Sequence, residues 1–174
     1  MDIFIIYGTG EGHTRKIAEF CSAHLKDAGH KVEIRNCDRR MSGLHISQFD
    51  AVILAGSVHR QRHQESLENF AVAHREQLEK IPSLFLSVSL SIAFENGELE
   101  AGKYVRGFVE SSGFEPNSVV LVAGALRFDQ YSYYMSHIVE HVVLKGREEI
   151  KEDREFTDWK SLAGEIDSFM ASCL

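Results

Sequence analysis

Ile3-Phe4-Ile5-Ile6-Tyr7-Gly8-Thr9-Gly10-Glu11-Gly12-His13-Thr14 is the stretch on which the fold turns. Its first five residues are an unbroken apolar run rich in β-branched and aromatic side chains. A run that does not alternate suits a strand buried on both faces, as in a parallel sheet. Glycines and hydroxyls follow. From Thr14 to Ala28 the spacing turns helical, with Ile17, Ala18, Cys21 and Leu25 on one face and Gly29 as its stop. A strand, a Gly-rich turn and a helix aim backbone N–H groups and the positive end of the helix dipole at one place, which suits an anion site or else is a plain β–α turn with no ligand. Thr9 and Thr14 add hydroxyls. No GK[ST] follows, which excludes a nucleoside-triphosphate P-loop. His13 stands where a dinucleotide GxGxxG would need its third glycine. The turn carries no Lys or Arg, so an anion here is held by hydrogen bonds.

The same alternation of patterns continues outward. Lys31–Arg35 reads as a half-exposed strand, Ala51–Ala55 and Leu84–Ser89 as buried strands, and Val119–Gly124 as the most apolar of the five. Helical spacing recurs over Ser66–Lys80, Ala101–Ser112 and Tyr134–Leu144. A last helix starts near Trp159, with Thr157 as its expected N-cap. Ser91–Gly102 reads as a long connection. Strands alternating with helices predict an α/β protein with a parallel sheet, in a single domain.

Composition narrows the function. The 174 residues carry 19 Lys+Arg against 26 Asp+Glu, a net charge of −7, with 44% hydrophobic and 26% charged residues. Disorder, collagen and coiled coil are excluded. No basic face offers itself to nucleic acid. No apolar run is long enough to span a bilayer, and Asp2 stands where a signal peptide carries basic residues. Cys21, Cys37 and Cys173 form no CxxC and suit a reduced, cytoplasmic setting.

In an open parallel sheet ligands bind beyond the carboxyl ends of the strands. Four such ends bear polar or small residues. Gly56-Ser57-Val58-His59-Arg60-Gln61-Arg62-His63 is dense in donors and suits a cofactor's polar edge, an anionic substrate or plain solvent. Ser87-Val88-Ser89-Leu90-Ser91 lets a flat ring approach backbone, or is simply a strand ending in serines. Gly124-Ala125-Leu126-Arg127-Phe128, with Tyr131, Tyr133 and Tyr134 beyond it, offers stacking and an Arg–carboxylate pair, or else contributes aromatics to the core. His137 and His141 stand i,i+4, but an exposed or packing role is favoured and no metal site is expected. No GxSxG elbow supports a hydrolase.

Thr9-Gly10-Glu11-Gly12-His13-Thr14 resembles the flavodoxin phosphate loop in its T-x-x-G-x-T form, with Glu11 where flavodoxins often place a further hydroxyl. More closely, the chain is similar to the flavodoxin-like, quinone-dependent protoporphyrinogen oxidases of bacteria. The matching pieces are Thr14-Arg15-Lys16-Ile17-Ala18, Ser57 with its loop, Phe85–Leu90, Ala123–Phe128 and Phe156-Thr157-Asp158-Trp159. The resemblance implies a three-layer sandwich over residues 1–174, its five parallel strands ordered 2-1-3-4-5, with a family insertion around 91–109. It implies FMN, with the phosphate on Thr9, Gly10, Glu11, Gly12, His13 and Thr14. The flavin ring would lie between Ser57-Val58-His59-Arg60 and Ser87-Val88-Ser89-Leu90. Arg127 and Tyr131 become the substrate residues, and Arg60, Arg62 or Arg127 the candidates to raise the flavin potential. A porphyrinogen would be oxidised and its electrons passed to a quinone, at most in weak peripheral contact with the inner face of a membrane. Here Glu95, Glu98 and Glu100 face only Lys103 and Arg106, which weakens attraction to anionic lipid. Two other functions fit the same residues: an electron-carrying flavodoxin that docks to redox proteins through acidic surface, and a flavin-free interaction module.

Overall fold

Strand β1 (Asp2–Gly8) is the keel of the molecule, with Ile3, Phe4, Ile5 and Ile6 all fully buried. Successive side chains of a strand point to opposite faces. Accordingly Ile3, Ile5 and Tyr7 join one apolar cluster, while Phe4 and Ile6 join another on the reverse side. This explains why the run could not alternate. The computed structural model describes residues 1–39, 41, 43–126 and 153–173.

Helix α1 (His13–Asp27) follows β1 and packs Ile17, Ala18, Cys21 and Leu25 into the first cluster. It ends in a Schellman turn. Gly29 takes φ 88°, its N–H donates to Lys26 O, and the N–H of His30 donates to Leu25 O. The chain continues through β2 (Lys31–Asn36), β3 (Ala51–His59), β4 (Arg62–His63), α2 (Glu65–Leu78) and β5 (Ser83–Ser89). Beyond these come α3 (Gly97–Ser112), β6 (Ser118–Ala123), β7 (Ala125–Leu126), β8 (Arg154–Glu155) and α4 (Trp159–Ser172). The parallel strands run β2-β1-β3-β5-β6, and β4 adds an antiparallel hairpin to β3. Leaving β4 aside, that is the expected 2-1-3-4-5 path. Leu162, Ile166 and Phe169 of α4 lie with α1 on one face of the sheet. Leu67, Phe70 and Leu78 of α2 and Phe108 of α3 cover the other, which completes the α/β/α sandwich.

Four expectations are corrected. Strand β3 runs on to His59 rather than stopping at Ala55, because Val58 pairs with His63 and His59 with Arg62. Helix α2 stops at Leu78, before the expected Lys80. Residues 91–102 are not a long connection. A 3-10 turn at Leu90–Ala93 and the first turns of α3 fill them, and α3 with that turn occupies the 91–109 segment as the crossover from β5 to β6. The N-cap of α4 is Asp158, whose carboxylate accepts from the N–H of Ser161 at 2.9 Å. Arg127, Tyr131, His137, His141 and the helix expected over Tyr134–Leu144 lie outside the described residues. No described helix is long and apolar enough to cross a membrane.

Candidate functional site

The chain leaves β1 toward β2 on one side of the sheet and leaves β3 toward β5 on the other. The crevice between the carboxyl ends of β1 and β3 is the switch point where open α/β sheets bind ligands. The first loop builds one wall. Gly12 stands at φ 86°, a left-handed position that glycine takes without a Cβ clash, and serves as N-cap of α1. Its N–H donates to Thr9 Oγ1 at 2.9 Å, closing the turn. Thr9, Glu11, His13 and Thr14 line the cleft from this loop. Ser57, Val58 and His59 line it from β3, Val88, Ser89 and Leu90 from β5, and Gly124 and Ala125 from beyond β6.

Two hydroxyls in this cleft make no hydrogen bond. Thr14 is 1% exposed and Ser89 4% exposed, and neither Oγ has a partner. A buried polar atom left unpaired costs about 1–3 kcal/mol. Thr14 sits in the first turn of α1, where backbone N–H groups also lack helical partners and the dipole is positive. An orphaned hydroxyl beside orphaned N–H groups is what a bound phosphate would satisfy. The residues present therefore fit FMN.

The remaining expected site residues lie elsewhere. Gly10 and Gly12 shape the loop backbone, and Arg60 is exposed at the hairpin tip. Ser87 turns away from the cleft. Leu84, Leu86 and Val88 of β5 face the α1 layer, so Ser87 faces α2 and α3, where its hydroxyl meets His63 Nε2 at 3.0 Å. Burial against Phe85 and Phe108 pushes the His63 pKa down to about 4.

A brace behind the loop joins His13, expected among the phosphate residues, to Thr157, expected as an N-cap. Thr157 Oγ1 donates to Ala123 O at 2.6 Å and contacts His13 Nε2 at 2.7 Å. A carbonyl only accepts, so the one hydroxyl proton is spent on Ala123 and Thr157 must accept from His13. That fixes the proton of His13 on Nε2. Glu155 adds to the brace, bonding Lys16 Nζ at 2.6 Å and Trp159 Nε1 at 2.8 Å. Burial works to raise the Glu155 carboxyl, but these two donors outweigh it and hold the pKa below its ordinary value. The signal was the pair Thr157-Asp158. Two capping residues in tandem cannot both cap, and the spare one takes other work.

A hydrogen bond also closes across the cleft mouth, from His59 Nε2 to Glu11 Oε1 at 3.0 Å. It raises the His59 pKa against burial and the neighbouring Arg60.

Known proteins agree with this architecture. Protoporphyrinogen IX dehydrogenase [quinone] of Escherichia coli K12 is 26% identical over 94% of this chain and 91% of its own length. The Leishmania major protein of the same name is 24% identical over 96% of this chain and 74% of its own. A short-chain flavodoxin associated with a PDU bacterial microcompartment superposes with a TM-score of 0.62 at 10% identity, covering 100% of this chain and 99% of that one. The flavodoxin domain family matches residues 4–153, a span that holds nearly all of the parallel sheet and every residue lining the cleft, and the chain belongs to that family.

Proposed function

We propose that this chain is an FMN-dependent oxidoreductase that oxidises a porphyrinogen and passes the electrons to a quinone. One observation carries the cofactor: the buried, unpartnered Thr14 hydroxyl at the N-terminus of α1, in a cleft at the sheet's switch point. The names of the relatives support the substrate and acceptor. Thr14, Thr9 and the first N–H groups of α1 hold the phosphate. The His13–Thr157–Ala123 brace keeps the loop from yielding. Backbone and small side chains at Ser57-Val58 and Val88-Ser89 flank the ring and exclude water. FMN, once bound, supplies the two-electron chemistry, and the protein binds, orients and tunes it. Arg127 and Tyr131 are proposed to meet the substrate.

The net charge of −7 favours a second function, an electron carrier docking through acidic surface. One experiment separates them. The FMN-loaded protein is mixed with protoporphyrinogen IX and a soluble quinone, and porphyrin fluorescence is followed. Quinone-dependent porphyrin formation, weakened in Arg127→Ala, is the expected result. A fully loaded protein that forms no porphyrin above the uncatalysed background is the carrier.

A further inference from the structure

We propose that His59, carried in on the β3–β4 hairpin, is the cationic partner that lets a phosphate loop bearing a carboxylate accept a phosphate dianion. This rests on the FMN reading above and adds the charge balance of that site. The residues from Gly8 to Thr14 include no Lys or Arg and one carboxylate, Glu11. Glu11 lines the cleft with a side chain only 17% exposed. Alone, that charge repels a dianion in a partly desolvated place. His59 answers it. Its Nε2 lies 3.0 Å from Glu11 Oε1, and it lines the same cleft. The ring lies so close on Gly10 that a Cβ there would stand 3.0 Å from Nε2 and 3.1 Å from Cδ2, so any larger residue would push the ring back by a few tenths of an ångström.

The hairpin that delivers His59 is strained. Arg60 at φ 47° and Gln61 at φ 66° form its tip, two left-handed residues in succession with no glycine between them. Two-residue turns of this kind favour Asn-Gly, and strained backbone persists where its neighbours hold it, often at ligand clamps. His59 at one end of the turn has such a hold in Glu11 and Gly10.

The charges around His59 set the sign of the effect. Glu11 favours its proton, while burial and Arg60 oppose it. Arg62, its ladder partner, sends its guanidinium to Glu68 at 3.0 Å. His13 shares the cleft with Nε2 engaged by Thr157. Among the described residues these are the groups that face His59. With His59 protonated, Glu11 is neutralised and the phosphate meets a matched site. As pH rises through the raised pKa of His59, the proton leaves and the Glu11 carboxylate stands bare. FMN affinity then falls.

The test is fluorescence titration of FMN and riboflavin into wild type, Glu11→Gln, His59→Gln and the double variant, from pH 6.5 to 9. The quantity read is the ratio of FMN affinities between wild type and His59→Gln, in which the phosphate's own ionisation cancels. We expect this ratio to be about tenfold at the acid end of the range and to fall toward one as rising pH strips the proton from His59. Glu11→Gln removes the slope and tightens FMN at pH 9, and the double variant regains near-wild-type affinity. Riboflavin, lacking the phosphate, shows no such ratio. FMN binding with a ratio of one throughout overturns the role of His59 while leaving the cofactor in place. A wild type that binds no FMN at any pH overturns both.

Discussion

Two buried polar groups, Thr14 and His63, behave in opposite ways at the level of single residues. Thr14 Oγ1 is buried without a partner, so it stabilises nothing in the ligand-free protein. Thr14→Ala trades relief of that unpaired hydroxyl against loss of one buried methyl, so thermal stability should hold while FMN weakens by about 1–3 kcal/mol, the worth of one hydrogen bond to a charged acceptor. Thr14→Ser should restore the affinity. Calorimetric titration of the three proteins decides it, and equal FMN affinity in all three would remove Thr14 from the site. His63 makes the opposite case, a titratable group that packs rather than binds. Its pKa falls from 6.5 to about 4 because burial disfavours the imidazolium. The unfolded chain takes up the proton first as pH falls. His63 therefore costs the fold nothing above pH 6.5, and stability drains away between 6.5 and 4. Between pH 7 and 4.5 its share is about 2–3 kcal/mol. Urea unfolding should show wild type losing that much more than His63→Gln over the same interval. Parallel losses would mean that His63 finds its proton in the folded state.

Elements show where sequence patterns carry and where they stop. The β1 run, the α1 face and Gly29 were legible because each has a local cause: burial on two faces, a 3.6-residue period and a left-handed terminus. The extension of β3 to His59 was not, since polar residues in a hairpin alternate only against a partner two residues away, and that partner was read as loop. Ser87 was misplaced for a related reason: a strand's facing depends on register, which three serines and a valine do not reveal. The hairpin tip offers a test. Gln61→Gly relieves a left-handed residue and should stabilise the fold by about 0.5–1 kcal/mol, read as a higher urea midpoint. An unchanged or lower midpoint would mean that the turn carries no strain. The β8–α4 junction offers another. Thr157→Val strands the Nε2–H of His13 and the carbonyl of Ala123 and should cost about 1–3 kcal/mol of stability. Thr157→Ser keeps both bonds and should cost far less. A Thr157→Val protein as stable as wild type, with Thr157→Ser the weaker of the two, would assign the residue's contribution to its methyl group instead.

Across the whole molecule, the sheet order brings together residues from four strand ends that lie far apart in sequence. The pattern of strands and helices predicts that convergence, because right-handed crossovers leave few ways to arrange five parallel strands. Thr9 to Thr14, Ser57 to His59 and Val88 to Leu90 meet in one cleft as a consequence of topology. Which side chains then close on one another was beyond sequence reading. The Glu11–His59 pair and the His13–Thr157 brace each join residues whose separation carries no period. On the proposed function, the cleft recognises a phosphate as well as a flat ring. The measurement that tests this most directly is titration of the purified protein with FMN and with riboflavin at neutral pH, followed by flavin absorbance and fluorescence. One FMN per chain, bound at least about tenfold more tightly than riboflavin, a modest return for several charge-assisted hydrogen bonds, is the predicted result. No flavin binding, or FMN and riboflavin bound alike, would contradict it.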